Sequence, residues 1–310
     1  MSEFNFNQVN LIEINELQAG QRIDNFLLKH LKNLPKSHLY RILRKGEIRV
    51  NKGRIKPDYR LEQNDIIRLP PLQLETKIPS VPSSKLLDLL SNCILHEDKE
   101  LLVLNKPSGI AVHGGSGISS GVIEGLRGLF PKAPFLELVH RLDRETSGCL
   151  LIAKKPALLR QLHEQLRNHD LGKIYLALVK GKWNPLITQI NAPLQRNILH
   201  SGERMVKVEA DGKEALSHFH LRQHFKNASF MEIKLATGRT HQIRVHAHFA
   251  GHPLAGDDKY GDYEFNKQIK VLGLNRLFLH AWRIKLPQYD KPFQAPLEDS
   301  LKKVLENLPK

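Results

Sequence analysis

Cysteine is almost absent from this sequence: Cys93 and Cys149 are the only two, and neither belongs to a C-x-x-C pair. That excludes a cysteine-based zinc site. The opening Met1-Ser-Glu-Phe-Asn-Phe-Asn-Gln8 lacks the basic and apolar regions of a signal peptide, so the expected location is the reducing cytoplasm, where a structural disulfide is not expected. Long hydrophobic runs are missing too, so no segment spans a bilayer. His113-Gly-Gly-Ser-Gly117 is glycine-rich, but no Gly-Lys-Ser/Thr follows and no G-x-G-x-x-G opens a helix; it reads as a flexible loop, not a nucleotide cradle. His241, His246, His248 and His252 crowd one stretch without an H-E-x-x-H, and 246 and 248 cannot share a helix face, so no metal is expected. Acidic residues are scarce: 32 stand against 47 lysines and arginines in 310 residues, a net charge of +15 that favours a polyanionic partner, either nucleic acid or an acidic membrane surface.

The excess positive charge is not spread evenly. Gln21 to Leu72 holds 13 lysines and arginines against 5 acids, a net +8 and more than half of the total. Ile23, Phe26, Leu27 and Leu31 recur at helical spacing. Ser37 can cap a second helix that turns Leu39, Ile42 and Leu43 inward and Arg41, Arg44 and Lys45 outward, with Gly46 ending it. Ile48-Arg-Val50 and Asp65-Ile-Ile-Arg-Leu69 read as strands around the basic turn Asn51-Lys-Gly-Arg-Ile-Lys-Pro57, and Val9 to Ile14 as an entry strand. Two small helices followed by such strands resemble an S4-type RNA-binding domain, with Lys36, Arg41, Arg44, Lys45, Lys52 and Arg54 as its RNA-binding cations. Only Phe26, Tyr40 and Tyr59 are aromatic here, so backbone and shape should outweigh stacking on unpaired bases. Residues 74 to 87, rich in proline and serine, have linker composition. The expected organisation is therefore residues 1–73 as the basic domain, 74–87 as linker and 88–310 as a second, larger domain.

In the second domain a dense charged cluster opens into the apolar run Leu150-Leu-Ile152, suited to a buried strand, with Gly148 able to supply a tight turn. On composition alone, a solvated surface turn fits equally well. Yet His140, Arg141, Leu142, Asp143, Thr146, Ser147, Gly148, Ala153 and Lys154 match the long H-R-L-D-x-x-T-S-G-x-x-x-x-A-K signature and resemble the RluA-type pseudouridine synthases, which isomerise uridine in RNA. Lys106-Pro, Lys173-Ile-Tyr175, Thr237-Gly-Arg-Thr-His-Gln-Ile-Arg244 and Leu277-Phe-Leu-His-Ala-Trp282 resemble further motifs of that family, which together cover nearly all of residues 88 to 296. The basic domain before them resembles that of the family member that modifies large-subunit ribosomal RNA.

The resemblance implies an α+β fold: a small S4-like domain, then a catalytic domain on a mixed, mostly antiparallel sheet with a central cleft. It makes Asp143 the catalytic aspartate and Tyr175 an active-site tyrosine that stacks on the base. It also assigns Arg239 a salt bridge to Asp143, with Thr240 as a plausible N-cap of the helix that follows. Arg141, His140 and Arg244 are expected at the substrate, Arg141 filling the place of an extruded uracil. No cofactor is implied, because the reaction consumes nothing. The expected partner is large-subunit ribosomal RNA and the expected state a monomer. Two alternatives remain open: a transfer-RNA synthase of the same family, and a non-catalytic RNA-binding or ribosome-assembly protein. A hydrolytic glycosidase would need two opposed carboxylates, and Glu145 is too near Asp143 in sequence to oppose it. Asp257 and Asp258 are read as turn residues.

Overall fold

The computed structural model describes residues 8–16, 18–31, 34–72, 82–114, 120–198 and 204–310. They belong to two compact units, Met1–Pro79 and Ser80–Lys310. The first contains β1 (Asn10–Glu13), α1 (Ile23–His30), α2 (Lys36–Lys45), β2 (Arg49–Val50), β3 (Gly53–Arg54) and β4 (Ile66–Leu69), the strands pairing antiparallel in the order β1-β4-β2-β3. Its core is the helical stripe expected from spacing, Phe26, Leu27, Leu39, Ile42 and Leu43, closed by Ile48, Ile67 and Leu69. Helix α2 begins two residues earlier than expected: Pro35 is its N-cap, so Ser37 lies inside the helix, and Gly46 ends it in the left-handed conformation at φ 70°. The two helices are stitched by Asp24, whose carboxylate accepts both Arg22 nitrogens (3.1 and 2.7 Å) and the Tyr40 hydroxyl (2.9 Å). Those hydrogen bonds, the Arg22 pair first, hold the Asp24 carboxyl below the usual carboxylate range. Lys36, Arg41, Arg44, Lys45, Lys52 and Arg54 are all exposed.

The second unit runs α3 (Ser84–Ser91), β5 (Ile94–Glu97), β6 (Leu101–Lys106), α4 (Val122–Leu129), β7 (Glu137–Leu138), β8 (Ser147–Ala153), α5 (Pro156–Arg167), β9 (Gly172–Lys180), β10 (Gln189–Asn191), β11 (Leu194–Ile198), β12 (Arg204–Val208), β13 (Leu216–His224), β14 (Ala228–Leu235), α6 (Gln242–Phe249), α7 (Tyr263–Val271), β15 (Leu279–Lys285), β16 (Phe293–Gln294) and α8 (Asp299–Asn307). Residues 84–87, expected in the linker, are thus the first turn of α3, capped by Ser83 and anchored by Leu86 and Leu90 in the second unit's core. The part of the linker at 74–81, like most of the glycine-rich loop after His113, lies outside the described residues.

One ten-stranded sheet organises this unit, in the order β10-β13-β14-β9-β15-β8-β6-β5, with β16 on β15 and β7 on β8. Every pairing is antiparallel except β15 with β8. Strand β8 is buried along its whole length, as an uninterrupted apolar run demands. Its Leu150 and Ile152 face the α3–α4 side and its Cys149, Leu151 and Ala153 the α5 side. Gly148 does not make the turn expected of it. It sits inside β8 at φ 108°, where a Cβ would come 2.2 Å from the Ala281 carbonyl, so only glycine lets β15 lie alongside. The same register sets Tyr175 of β9 against Ala281. Tyr175, Ala281 and Gly148 therefore form one row across three strands, and the chain reaches Gly148 directly from Asp143.

Candidate active site

Asp143 stands on the loop entering β8, and buried polar contacts hold that loop from below. Thr146 N–H closes a turn onto the Asp143 carbonyl (3.1 Å). Lys106, fully buried, donates its three ammonium hydrogens to the carbonyls of Pro107 (2.7 Å), Ile110 (2.8 Å) and Arg144 (3.1 Å). Burial, reinforced by the Arg276 cation, pulls this ammonium down to about 7, against the opposing charges of Glu145, Asp143 and Glu298. Ser108 donates to the Glu145 carbonyl (2.7 Å), while Arg276 donates to Ser147 Oγ (2.7 Å), which in turn meets His280 Nδ1 (2.9 Å). The lysine-proline motif thus ties the loop of β6 to the loop of Asp143.

Above the loop lies a cavity of about 100 Å³ lined by Arg141, Asp143, Thr146, Tyr175, Arg239, His241, Gln242 and Arg244 with apolar Leu142, Leu235, Ile243 and Leu279. A second cavity of about 560 Å³ shares Arg141, Asp143, His241 and Arg244 and continues past Arg144, Lys259, Lys270 and Arg276. Burial, helped by the Asp143 charge, pushes the Tyr175 phenol above its ordinary range, so the ring enters the site as a neutral phenol.

The expected partner of the aspartate is corrected by the geometry. Arg239 Nε donates to the Glu214 carbonyl at 3.0 Å, and no Arg239–Asp143 ion pair is present. The reason is local: Gln242 accepts from Arg239 N–H (2.9 Å) and Thr237 Oγ1 (2.8 Å) and donates to Leu216 O (3.0 Å) and Ser217 Oγ (2.9 Å), curling the motif loop back onto β13. Thr240 is consequently not the cap of α6. That position belongs to His241, in the left-handed conformation at φ 55°, ψ 18°. The groups that face Asp143 Oδ2 are the guanidinium of Arg244, Nη1 at 4.0 Å, and the imidazole of His241, Nε2 at 3.8 Å.

Arg244 is itself held by Asp257 through two hydrogen bonds, Nε to Oδ2 at 2.7 Å and Nη2 to Oδ1 at 2.6 Å, both groups being buried. Burial would lower the guanidinium and raise the carboxyl, but the bidentate pair overrides it in both, keeping both charged. Asp257 also builds the expected turn, accepting from Lys259 N–H (2.9 Å) and Tyr260 N–H (3.0 Å). Its pairing with Arg244 had no signal in local spacing, since the two lie 13 residues apart on a helix and a loop.

His140 is a second correction: it does not line the cavity. Its Nε2 accepts the Leu151 N–H (3.2 Å), and burial beside Lys173 pushes the imidazole down to about 4, so it is a neutral brace for β8. Among the described residues no group of three or more His, Cys, Asp or Glu is arranged to hold a metal, and no helix is long and apolar enough to cross a membrane.

The family models match in the same two places: an S4 domain at residues 21–67 and an RNA pseudouridylate synthase at residues 100–249. The chain is 55% identical to the ribosomal large subunit pseudouridine synthase C of Pasteurella multocida over 303 residues, covering 96% of this chain and 93% of that protein. The chain belongs to the RNA pseudouridylate synthase family. It is also 55% identical to the same-named protein of Yersinia pestis, over 96% of this chain and 95% of that one, and 52% identical to that of Escherichia coli K12, over 97% of each. Among solved structures, human RNA pseudouridylate synthase domain containing 4 superimposes with a TM-score of 0.60 at 27% identity, covering 73% of this chain and 98% of the human one. This synthase is therefore an RNA-modifying isomerase with an N-terminal S4 domain, and its α+β fold on a mixed, mostly antiparallel sheet is the one the motifs implied.

Proposed function

We propose that this synthase isomerises uridines of large-subunit ribosomal RNA, as a monomer in the cytoplasm, with Asp143 as its catalytic residue. The observation that carries the reading is the convergence of Asp143, Tyr175 and Arg141 on one cavity whose carboxylate faces a buried, counter-ion-fixed arginine. The substrate class is supported by relatives that share both domains and are named for the large ribosomal subunit.

The uracil leaves its stack at a cost of about a few kcal/mol. Arg141, exposed at the rim of both cavities, takes the vacated place. Asp143 acts at the sugar by one of two routes: attack on C1′, the bond so formed breaking when C5 displaces the carboxylate, or removal of the C2′ proton, which returns to C2′ as C5 joins C1′. The N1–C1′ bond breaks, the base turns against the Tyr175 ring, C5 joins C1′, and the C5 proton leaves as N1 gains one. Arg244 faces Asp143 Oδ2 across 4.0 Å and orients the carboxylate by Coulomb attraction. Arg239, turned toward Glu214, serves at the rim of the cavity in RNA binding, not as the partner of the carboxylate.

The test is Asp143→Asn. Tritium release from C5-labelled uridine should vanish while RNA affinity stays within a few fold, since the exchange preserves shape and removes charge and basicity. Appreciable turnover by the purified variant would sink the assignment. A primary isotope effect with C2′-deuterated RNA separates the two routes. Carbodiimide primer extension across the ribosomal RNA of a strain lacking the protein identifies the modified uridines, and unchanged ribosomal signals with lost transfer-RNA signals would redirect the substrate.

A further inference from the structure

His241 is the one group facing Asp143 that the reaction as described leaves unused, and three observations converge on it. First, its backbone is left-handed, a conformation that bulky residues seldom adopt and that the fold retains at this helix start. Second, its Nε2 is directed at Asp143 Oδ2 at 3.8 Å. Third, its other nitrogen, Nδ1, lies 2.8 Å from the hydroxyl of Tyr260, whose ring it meets edge to face at 5.5 Å.

The hydrogen bonds of the Tyr260 hydroxyl favour one tautomer of the imidazole. Its oxygen already accepts the N–H of Val206 on β12 at 2.9 Å. A hydroxyl that accepts there has its own hydrogen to place, and His241 Nδ1 is the acceptor beside it. With Nδ1 accepting, the imidazole proton must sit on Nε2 and point at the carboxylate. The charged groups around the ring are Asp143 and Asp257 on one side of the balance and Arg244 and Lys259 on the other, and burial adds to the two cations in holding the imidazole below its ordinary range. Arg244 also lies over the Tyr260 ring at 5.0 Å, which confines the phenol from its other side.

We propose that His241 is a positioning residue for Asp143: a neutral Nε2–H donor whose tautomer is fixed by Tyr260, which the backbone of the β11–β12 hairpin fixes in turn. The hairpin meets this segment twice, since Arg196 of β11 also donates to Thr240 Oγ1 at 2.6 Å. Seating of the hairpin is thereby linked to the orientation of the reacting carboxylate. At 3.8 Å the Nε2–Asp143 contact is longer than a hydrogen bond and must close by roughly 0.6–1 Å to become one, as catalytic contacts do when substrate fills the site. One carboxylate oxygen is then held by His241 and Arg244, leaving the other for the sugar. The inference rests on Asp143 being the reacting group, but its tautomer readout does not.

The full-length protein is labelled with ¹⁵N-histidine, and long-range nitrogen–proton correlations are recorded at neutral pH, with His241→Gln assigning the signal among the 16 histidines. The wild-type His241 should show the neutral Nε2–H pattern, and Tyr260→Phe should shift it toward a mixture. Single-turnover rates at saturating RNA supply the second readout. His241→Gln, which keeps a donor near the Nε2 position, should stay within about threefold of wild type, and His241→Ala should fall by about tenfold, the worth of one hydrogen bond. Both variants share the same left-handed backbone strain, so their difference isolates the donor. Tyr260→Phe should slow the wild type by a similar factor yet cost nothing further in the His241→Gln background, where no tautomer remains to be fixed. An Nδ1–H or doubly protonated wild-type ring, a fast His241→Ala, or an equal cost of Tyr260→Phe in both backgrounds would each overturn the proposal. A purely structural role for Tyr260 predicts the last of these. Turnover by Asp143→Asn would sink the assignment of the aspartate and leave the tautomer result standing, whereas an Nδ1–H ring with an inactive Asp143→Asn would sink this inference alone.

Discussion

The two units of this synthase use the same cationic residue types in opposite ways. Lys36, Arg41, Arg44, Lys45, Lys52 and Arg54 of the S4 domain are exposed, four on helix α2 and two on the β2–β3 hairpin. In the catalytic unit Arg244 and Lys106 are buried, the first locked to Asp257 and the second to three carbonyls. An exposed cation keeps its hydration and many rotamers, so it serves a polyanion through charge alone and is screened by salt. A buried cation is desolvated and needs a dedicated counter-charge. What it gains is a fixed direction: Arg244 is aimed at Asp143, and Lys106 at the carbonyls that hold the Asp143 loop. Substitution should therefore cost fold and rate in one unit, and affinity without fold in the other.

The sharpest contrast is expected from the buried pair. Arg244→Met leaves the Asp257 carboxylate without its partner in a site with no exposure, and breaking such a pair costs roughly 3–5 kcal/mol of stability. The double variant Arg244→Met with Asp257→Asn, whose amide oxygen still accepts the Lys259 and Tyr260 N–H groups, should recover much of the denaturant midpoint but none of the single-turnover rate, because Asp143 still lacks its facing cation. Recovery of both together would mean that Arg244 acts only through the fold.

The second expectation concerns acid. His140 is neutral and accepts the Leu151 N–H, with its titration moved from an ordinary 6.5 down to about 4. Its folded value is depressed, so between pH 6.5 and 4 the unfolded chain takes up a proton that the folded chain refuses. Stability is lost over that window, with no further loss from this group below it, to a total of roughly 3 kcal/mol. His140→Asn keeps an acceptor for Leu151 and removes the titration. Denaturation at several pH values should thus show a shallower acid loss in the variant than in the wild type, and parallel curves would mean that solvent reaches the imidazole.

These two residues also mark where the sequence stops being readable. Helix stripes, the buried run of β8 and the S4 pattern are local, so spacing alone places Phe26, Leu39 and Leu150 correctly. Partners set by the turn of a loop are not local. From T-G-R-T-H-Q-I-R, either arginine can reach the aspartate. Only the curl imposed by Gln242 on β13 sends Arg239 to Glu214 and leaves Arg244 facing Asp143. Similarly, Gly148 reads as a turn residue until β15, more than 130 residues later, is laid beside it. His140 belongs to the most recognisable motif in the chain and still faces backbone, because a motif records which residues recur together and not which of them touch substrate.

Arg239 supplies the next, smaller effect. Its contact is a single hydrogen bond to a carbonyl from an exposed side chain, so Arg239→Ala should change stability by less than about 1 kcal/mol. If it serves RNA at the cavity rim, the dissociation constant should rise while the single-turnover rate at saturating RNA holds. A rate loss as deep as that of Arg244→Met would restore Arg239 as the partner of Asp143 in the RNA-bound state.

The smallest effect on chemistry is expected from the S4 cations, and it tests the other half of the comparison. Each of Lys36, Arg44, Lys52 and Arg54 is exposed, so glutamine in its place should leave the unfolding midpoint within the narrow range of ordinary surface changes. The single-turnover rate at saturating RNA should also be unchanged, because none of the four lines the cavities around Asp143. What should change is the response to salt. Each cation that neutralises a phosphate releases condensed counterions, so its removal should reduce the slope of log K against log salt by about 0.7–0.9 per contact. The four substitutions made together in the full-length chain should flatten the slope by nearly the sum of the singles, since well-separated phosphate contacts act independently. Titrating wild type, single and fourfold variants against one ribosomal RNA fragment at several salt concentrations decides the point. An unchanged slope in the fourfold variant would mean that the +8 of Gln21 to Leu72 is a solvated face, and that the cations of the catalytic unit hold the RNA as well as the aspartate.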